Sequence, residues 1–264
     1  MIYDFDEVID RRKSESTKWH RYGPDVLPLW VADMDFICPE PVLRALQERV
    51  AHGVFGYPEV MPSLSEIVSQ RLKRLYDWQV EPEDLVFMPG VVRGFHLGCH
   101  AVVNQDEAVL VQTPVYPPIF RAAKTTGILH QEMALNLNAD GSYGLDIDLF
   151  ERAFTDQTRL FILCNPHNPV GKVYCQDDLE RMAAVCLRHQ VIICSDEIHA
   201  ELLFSGQRHI PIAALDPEIA QHTITLNAPS KTFNIPGLDC SLAVIQNPEL
   251  RKKYLAARKG LMGG

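Results

Sequence analysis

A single lysine, Lys231, lies in the segment NAPSKTFNIPG, residues 227–237, shortly after the apolar run TITL. An amine that is removed from water and placed beside another cation has a lowered pKa, so a larger fraction of it is uncharged. An uncharged amine can attack an aldehyde and form an imine. The position of Lys231 beyond a buried apolar run therefore predicts an imine-forming lysine at the edge of a sheet.

Two other segments that follow apolar runs could bind an anion and a planar ring. PGVVRGFHLG, residues 89–98, predicts a turn into a helix whose N–H groups at Gly90, Val91 and Val92 face an anion such as phosphate. An ordinary strand-to-helix turn explains this segment equally well. In TPVYPPIF, residues 113–120, prolines stiffen a loop in which Tyr116 either stacks on a planar ligand or packs on the core.

Two more segments supply an amide and a carboxylate. NPHNPVGK, residues 165–172, contains two Asn-Pro pairs and a glycine, which fix a loop that presents the Asn168 amide to an acceptor oxygen. A purely structural turn explains the prolines but not the second asparagine. SDEIH, residues 195–199, places Asp196 at the end of a buried strand. A carboxylate there stays charged only with a cationic partner or strong hydrogen bonds.

These groups together match the functional groups of one ligand. In a doubly wound sheet, ligands bind beyond the carboxyl ends of the strands, where all five segments are expected. The segments offer an anion site, a stacking ring, a donor to a ring oxygen, a carboxylate facing a ring nitrogen and an imine-forming lysine. Pyridoxal 5′-phosphate (PLP) has a counterpart for each, so the residues predict a PLP site.

The composition is that of a globular protein whose partner is a small molecule or another protein. The 264 residues are 47% hydrophobic and 22% charged, which is enough to build a large core. The net charge of −9 argues against a nucleic-acid or anionic-membrane surface, which needs clustered Lys and Arg. The first residues do not have the pattern of a signal peptide, and no apolar run approaches membrane-spanning length. We therefore expect a cytoplasmic location.

The cysteines contain no C-x-x-C pair, and several lie inside apolar runs. We expect them to be reduced core residues rather than metal ligands or disulfide partners. The seven are Cys38, Cys99, Cys164, Cys175, Cys186, Cys194 and Cys240.

Short apolar runs alternate with helical patterns from residue 85 onward, which predicts a mostly parallel α/β sheet covered by helices on both faces. Helical spacing is found at 64–76 and 179–187, and Asp177 with Glu180 predicts a capping box for the second of these helices. The end of the chain predicts a basic helix followed by glycines. The predicted strands are LVFM (85–88), AVLV (108–111), RLFILC (159–164), VIICS (191–195), TITL (223–226) and SLAVI (241–245).

Several motifs together resemble the fold-type I PLP enzymes, and specifically the MalY/PatB-type cystathionine β-lyases within aminotransferase class I/II. The resemblance runs the length of the chain, and a set of ordered motifs is far more specific than any one of them. Residues 1–40, which are irregular and rich in aromatic and acidic residues, predict an arm. The resemblance implies a PLP-binding large domain of residues 41–264 and a C-terminal small domain that is largely absent. The motifs are PLWVADMDF, FGYP, NPHNPVGKVY, SDEIHAEL and SKTFNIPGL.

The resemblance also implies a role for each site residue. Lys231 is the lysine that binds PLP covalently and moves the Cα proton, and Asp196 pairs with the ring nitrogen. Asn168 donates to the 3′-oxygen with His199 nearby, and Tyr116 stacks on the ring. The remaining residues contact the phosphate or line the substrate entrance. Gly90, Val91, Val92, Ser230 and, across a homodimer interface, Tyr57 hold the phosphate, and Ala32 and Asp33 line the entrance.

Two departures from the family pattern affect these expectations. A serine and a phosphate-binding arginine of related aminotransferases are replaced here by Ala228 and Asp239, so the phosphate site depends on backbone N–H groups and Ser230. Family members also continue into a C-terminal domain that supplies an arginine for the substrate carboxylate. We therefore expect half of the substrate site to be missing.

The implied activity is the α,β-elimination of L-cystathionine or cysteine S-conjugates to a thiol, pyruvate and ammonia. One alternative is transamination on the same scaffold. Another is a shortened, non-catalytic PLP-binding relic that acts through protein contacts. A nicotinamide-binding Rossmann enzyme is disfavoured because no G-x-G-x-x-G turn follows the first strand.

Overall fold

A computed structural model describes residues 3–262 of the chain. These residues divide into two compact units, and each is described here by itself. The first unit contains the residues up to Glu59 together with Pro229–Asp239, and the second contains Val60–Ala228 together with the residues from Cys240 onward. The predicted division into residues 1–40 and 41–264 has different bounds and stays a prediction.

The secondary structure alternates between helices and strands from residue 85 onward. The helices are α1 (Thr17–His20), α2 (Glu40–His52), α3 (Pro62–Tyr76), α4 (Val91–Val102), α5 (Pro117–Phe120), α6 (Ala122–Thr126), α7 (Ile147–Arg152), α8 (Gln176–Arg188), α9 (Pro217–Gln221), α10 (Pro229–Thr232) and α11 (Pro248–Met262). The strands are β1 (Leu85–Met88), β2 (Ala108–Thr113), β3 (Leu129–Ala134), β4 (Asn136–Leu137), β5 (Tyr143–Gly144), β6 (Thr158–Cys164), β7 (Ile192–Asp196), β8 (Thr223–Asn227) and β9 (Ser241–Val244).

The second unit is built on a seven-stranded sheet with the order β1-β9-β8-β7-β6-β2-β3. Strands β3, β2, β6, β7 and β8 pair in parallel. Strand β9 is antiparallel to both β8 and β1, so β1 runs in the same direction as β8. The mixed, mostly parallel sheet confirms the predicted fold class, and it places the carboxyl ends of β1, β2, β6, β7 and β8 along one edge.

Helices cover both faces of this sheet, as predicted. On one face, α4 and α11 contribute Phe95 and Tyr254 to a cluster that includes Ile224 and Leu226 of β8. On the other face, α7 and α8 contribute to a cluster around Ile193 of β7. Neighbouring residues of one strand enter opposite clusters because side chains alternate along a strand.

The six predicted strands are confirmed, each within two residues of its observed ends. The capping box predicted for α8 is wrong, because the helix begins at Gln176 and its N-cap is Cys175. Asp177 and Glu180 therefore lie inside the helix, where Gln176 donates a hydrogen bond to the Glu180 carboxylate. The predicted basic C-terminal helix is α11, and the glycines that end the chain lie outside the described residues.

All seven cysteines are free, but the prediction that they belong to the core is only partly right. Cys99, Cys164, Cys186 and Cys194 are buried, and burial raises the pKa of each thiol. Cys38 is half-buried, whereas Cys175 and Cys240 are exposed. Cys175 is exposed because it precedes a helix rather than filling a strand.

The first unit contains α1 and α2, which are joined by irregular chain, and α10, which follows the second unit's residue Ala228 in the sequence. No residue of α2 is buried, and the helix ends at Gly53, whose φ of 74° is a left-handed conformation suited to glycine. In the part of the chain that the structure describes, no helix is both long and apolar enough to cross a membrane.

Candidate functional site: the strand ends and the Lys231 segment

The carboxyl edge of the sheet in the second unit collects four of the residues singled out from the sequence. Asp196 is the last residue of β7, while Gly90, Tyr116 and Asn168 follow the ends of β1, β2 and β6. Parallel register places Cys164, the last residue of β6, beside Asp196. The strand order therefore places these residues along one edge, where open α/β sheets bind their ligands.

Asp196 is a buried carboxylate that is held by the turn following β7. Its side chain is only 4% exposed, and its Oδ1 accepts a hydrogen bond of 3.2 Å from the Ile198 backbone N–H. Its main-chain carbonyl accepts a 3.0 Å hydrogen bond from the N–H of Asn165, which joins the ends of β6 and β7. A carboxylate that is fixed and largely shielded from water can act strongly on a positively charged partner.

Tyr116 lies at the start of α5 and is close enough to Asp196 to feel its charge. Partial burial raises the pKa of the Tyr116 hydroxyl, and the negative charge of Asp196 raises it further. Tyr116 is 36% exposed, so it is not packed wholly in the core, which was the alternative to a ligand-stacking role. Its ring therefore belongs to the same edge of the sheet as Asp196.

The loop that carries Asn168 is tied to the loop that carries Tyr116. The imidazole Nε2 of His167 lies 2.9 Å from the carbonyl oxygen of Pro114. At the base of the loop, Asn165 Oδ1 accepts from the N–H of Tyr174, and the N–H of Asn168 donates to Cys164 Sγ. These contacts fix the loop, as its prolines and glycine predicted, and leave the Asn168 side chain half-buried.

The amino end of α4 follows Gly90, whose φ of 86° is in the region that favours glycine. The first N–H groups of an α-helix have no acceptor within the helix, and its dipole favours an anion there. The helix is held close to the sheet, because a Cβ on Gly94 would lie 2.9 Å from Leu226 Cδ2 and 3.0 Å from Met88 Sδ. The Tyr254 hydroxyl also donates a 2.9 Å hydrogen bond to the Gly94 carbonyl.

In the first unit, Lys231 contacts the main chain at Ala32. Its Nζ donates a 3.0 Å hydrogen bond to the carbonyl of Ala32. Asp33 and Lys231 both line a cavity of about 630 Å³ that belongs wholly to this unit. This is the part of the unit where the sequence predicted a substrate entrance.

A set of ion pairs fixes the side chains of Asp33 and Asp35. Arg11 donates to Asp33 Oδ2 at 2.6 Å and to Asp35 Oδ1 at 2.7 Å, and buried Lys18 donates to Asp35 Oδ2 at 2.7 Å. Partial burial alone would raise the pKa of Asp35, but hydrogen bonds from Lys18, Trp19 and Arg11 outweigh it and lower the pKa to about 2. Asp35 is therefore charged at neutral pH.

The structure brings Gly90, Val91, Val92, Tyr116, Asn168 and Asp196 to one edge of the sheet in the second unit. His199 lies three residues beyond Asp196 in the turn that follows β7 and is half-buried. Lys231, Ser230, Ala32, Asp33 and Tyr57 belong to the first unit, where Ser230 is buried and Tyr57 is fully exposed. The role of each residue stays a prediction.

Sequence reasoning missed the residues that support the site. His167 and Asn165 lie inside the NPHNP motif, and their positions in that motif were the available signal. Asn234 likewise lies inside the SKTFNIPGL motif, whereas Arg11 lies outside the quoted motifs and gave no such signal.

Comparison with known proteins decides the family of this chain. Residues 24–261 match the aminotransferase class I and II family. The chain belongs to that family. Cystathionine beta-lyase PatB of Bacillus subtilis is 39% identical, and the match covers 98% of this chain and 69% of PatB. The predicted resemblance to the MalY/PatB-type enzymes is thereby confirmed.

Two solved structures share the fold at high similarity. The crystal structure of OvoB superposes with a TM-score of 0.93 at 45% identity, and the match covers 98% of this chain and 69% of OvoB. The PLP-bound C-S lyase of Staphylococcus hominis superposes with a TM-score of 0.90 at 36% identity, and covers 96% of this chain and 66% of the lyase. The chain thus spans about two thirds of the length of these proteins, and its fold is that of the fold-type I PLP enzymes.

The groups present at the carboxyl edge fit PLP chemically. A buried carboxylate suits a protonated pyridine nitrogen, a helix amino end suits a phosphate, and an amide suits a phenolic oxygen. The Nδ2 of Asn165 is also buried and has no hydrogen-bond partner among the described residues. Buried donors without an acceptor are uncommon in folded proteins, so such a group is consistent with a polar ligand near the loop.

Proposed function

We propose that this chain is a PLP-dependent carbon–sulfur lyase that acts on L-cystathionine or cysteine S-conjugates. The observation that carries the proposal is the buried, hydrogen-bonded carboxylate of Asp196 at the edge of the sheet that also presents Tyr116 and Asn168. Its 39% identity to a cystathionine beta-lyase and its 36% identity to a C-S lyase support this activity over transamination.

The proposal assigns each side chain a group of the cofactor. Lys231 attaches PLP covalently, and Asp196 keeps a proton on the ring nitrogen. Asn168 donates a hydrogen bond to the 3′-oxygen with His199 nearby, while the Tyr116 ring stacks on the pyridine ring. The phosphate accepts from backbone N–H groups and from one hydroxyl. These donors are Gly90, Val91, Val92 and Ser230.

When bound, PLP stabilises the negative charge that develops at Cα as an amino-acid substrate loses its Cα proton. The Lys231 amine, which is released when the amino group of the substrate takes its place, is the base that would take this proton. Its hydrogen bond to the Ala32 carbonyl orients the nitrogen. Ala32 and Asp33 line the substrate entrance in this proposal, and the ion pair with Arg11 holds the Asp33 carboxylate in one orientation.

The elimination breaks two bonds of the substrate. The Cα–H bond gives its proton to Lys231, and the electron pair left at Cα forms a double bond to Cβ as the Cβ–S pair departs with sulfur. Lys231 is then positioned to return a proton, so that sulfur leaves as a thiol. Addition of one water molecule to the remaining three-carbon unit gives pyruvate and ammonia.

We propose a homodimer as the active assembly. Val50, Val54 and Phe55 of the first unit are large apolar side chains that are exposed, and Tyr57 is fully exposed. Clustered exposed apolar residues are typical of surfaces that pair with another protein. Tyr57 would then contact the phosphate bound by the neighbouring subunit.

We also propose the cytoplasm as the compartment. All seven cysteines are free, and reduced cysteines are typical of cytosolic proteins.

The activity is tested by mixing the purified chain with PLP and measuring pyruvate release from L-cystathionine. We expect a visible absorption band that stays with the protein on gel filtration, together with pyruvate formation. Lys231→Ala should abolish both, while the matched control Lys252→Ala on the exposed surface of α11 should keep both. A bound cofactor without pyruvate release contradicts the lyase proposal, and amino-group transfer to a 2-oxo acid instead would favour an aminotransferase.

The homodimer is tested by light scattering on the PLP-loaded protein. We expect twice the mass of the chain for the parent. Phe55→Ser should shift the mass toward that of one chain, because it removes an apolar group from the proposed interface. A parent that stays monomeric at all concentrations would remove Tyr57 from the site.

A further inference from the structure

We propose that Asn234 is a positioning residue that holds residues 32–36 in place, so that the Ala32 carbonyl stays at the amine of Lys231. This inference rests on the proposed function, in which Lys231 attaches PLP and takes the substrate proton. Asn234 would serve that function by keeping the Lys231 amine in one orientation. All the contacts that carry the inference lie within the first unit.

The Asn234 amide uses its acceptor and both donor hydrogens on the backbone of this segment. Its Oδ1 accepts from the Met34 N–H at 2.9 Å, and its Nδ2 donates to the Met34 carbonyl at 3.0 Å and to the Phe36 carbonyl at 2.7 Å. The side chain thus pairs with Met34 as a neighbouring strand would. An asparagine that makes three such bonds to residues 198 to 200 positions away has a role in tertiary structure.

The backbone at Asn234 suits only a few residue types. Its φ is 54°, in the left-handed region where glycine and asparagine are the common occupants. Glycine would keep this conformation but has no amide, whereas aspartate would keep one acceptor oxygen and lose both donors. Asparagine meets both requirements at once.

A short, closed turn connects Asn234 to Lys231. The Ile235 N–H donates to the Ser230 carbonyl, and the Phe233 N–H donates to the Pro229 carbonyl, each at 2.9 Å. Lys231 and Asn234 therefore contact opposite ends of residues 32–36 from one turn. Release of Met34 from Asn234 would free the carbonyl of Ala32 to move away from Lys231.

The ion pairs of Arg11 do not replace this contact. Arg11 and Lys18 bind the side chains of Asp33 and Asp35 and also the carbonyls of Asp33 and Met34. The Met34 N–H and the Phe36 carbonyl, in contrast, bond to Asn234. Loss of the amide should therefore loosen the backbone while the ion pairs persist.

The experiment measures how fast the Lys231 amine is acetylated by acetic anhydride in the PLP-free protein, using peptide mass spectrometry. The rate at Lys252 in the same molecule serves as the internal reference. For Asn234→Gly we expect the acetylation rate of Lys231, divided by that of Lys252, to rise by about tenfold. This is the effect of losing one hydrogen bond from a charged donor. Asn234→Asp should give a smaller increase, and Asn247→Asp, which alters an amide at the start of α11, should give none.

Hydrogen exchange and visible circular dichroism test the role of Asn234 further. Hydrogen exchange on the parent protein should show protection of the Met34 N–H, and an unprotected amide there would overturn the proposal even if Asn234→Gly fails to fold. In the PLP-loaded protein, the visible circular dichroism of the cofactor should change in Asn234→Gly but not in Asn247→Asp. An unchanged acetylation ratio in folded Asn234→Gly overturns the inference alone, whereas a parent that binds no PLP overturns the proposed function.

Discussion

The amine of Lys231 and the main-chain carbonyl of Ala32 are joined by a 3.0 Å hydrogen bond, although 199 residues separate them in the chain. The carbonyl belongs to the segment whose neighbouring carboxylates are held by Arg11 and Lys18. The two roles proposed for Lys231, attaching a cofactor and moving a proton, need a fixed nitrogen, and this contact restricts where the nitrogen lies.

Asp196→Asn should lower pyruvate release by about 10²-fold or more, because the role proposed for the carboxylate is to stabilise a proton on the cofactor ring. PLP should still bind, since Lys231 and the phosphate contacts remain. The measurement is kcat for L-cystathionine together with the cofactor absorbance after gel filtration. Asp148→Asn, at an exposed site in α7, is the matched control and should leave both unchanged. Full turnover in Asp196→Asn would reject the assignment.

Gly94→Ala should destabilise the protein by about 1–3 kcal/mol, because the added methyl group would overlap the ends of Leu226 and Met88. The shift of α4 should also weaken PLP binding, since the proposed phosphate donors begin that helix. Gly260→Ala is a control for which we expect the opposite change in the free energy of unfolding. Nothing lies within 4 Å of its added methyl group, so alanine should stabilise α11 by up to about 1 kcal/mol. Urea unfolding of both variants checks the prediction, and equal stabilities would contradict it.

The stability of the protein should depend on His167 below neutral pH. Burial lowers the pKa of His167 from its ordinary 6.5, although hydrogen bonds with backbone groups partly oppose the shift. The unfolded chain therefore binds the proton more readily than the folded one, so stability is full above about pH 6.5 and falls as the pH drops through the lowered pKa.

His167→Gln lacks this titration, so its urea midpoint should change less than that of the parent between pH 7.5 and pH 5.5. His96, whose pKa is also lowered by burial, provides the comparison, because His96→Gln removes a similar titration from α4 without touching the loop of Asn168. Only His167→Gln should also reduce PLP retention. Parallel pH profiles for the parent and His167→Gln would refute the prediction.

The sheet and its edge could be predicted from the sequence because its central strands are buried on both faces. Such strands are continuous apolar runs, and the polar residue after each run marks the edge. Strand β3 was missed because it is an edge strand in which Leu129, His130 and Glu132 are exposed. Helix α2 was missed although Val42, Leu43, Leu46 and Val50 recur at helical spacing, and no residue of this helix is buried in the structure.

The contacts that orient the site could not be predicted in the same way. The bonds from Asn234 to Met34 and from Lys231 to Ala32 join segments about 200 residues apart, and no local spacing encodes such pairs. The tie between His167 and Pro114 likewise depends on β2 and β6 being neighbours in the sheet. Spacing identified which residues could react, whereas tertiary structure decides how they are held.

Attachment of PLP to Lys231 is tested most directly by chemical trapping. The protein is saturated with PLP, reduced with borohydride, digested and analysed by mass spectrometry. We expect one pyridoxyl group per chain on the peptide that contains Lys231, and none there in Lys231→Ala. A folded, PLP-saturated sample that carries the adduct on another lysine, or carries none, would contradict this attachment.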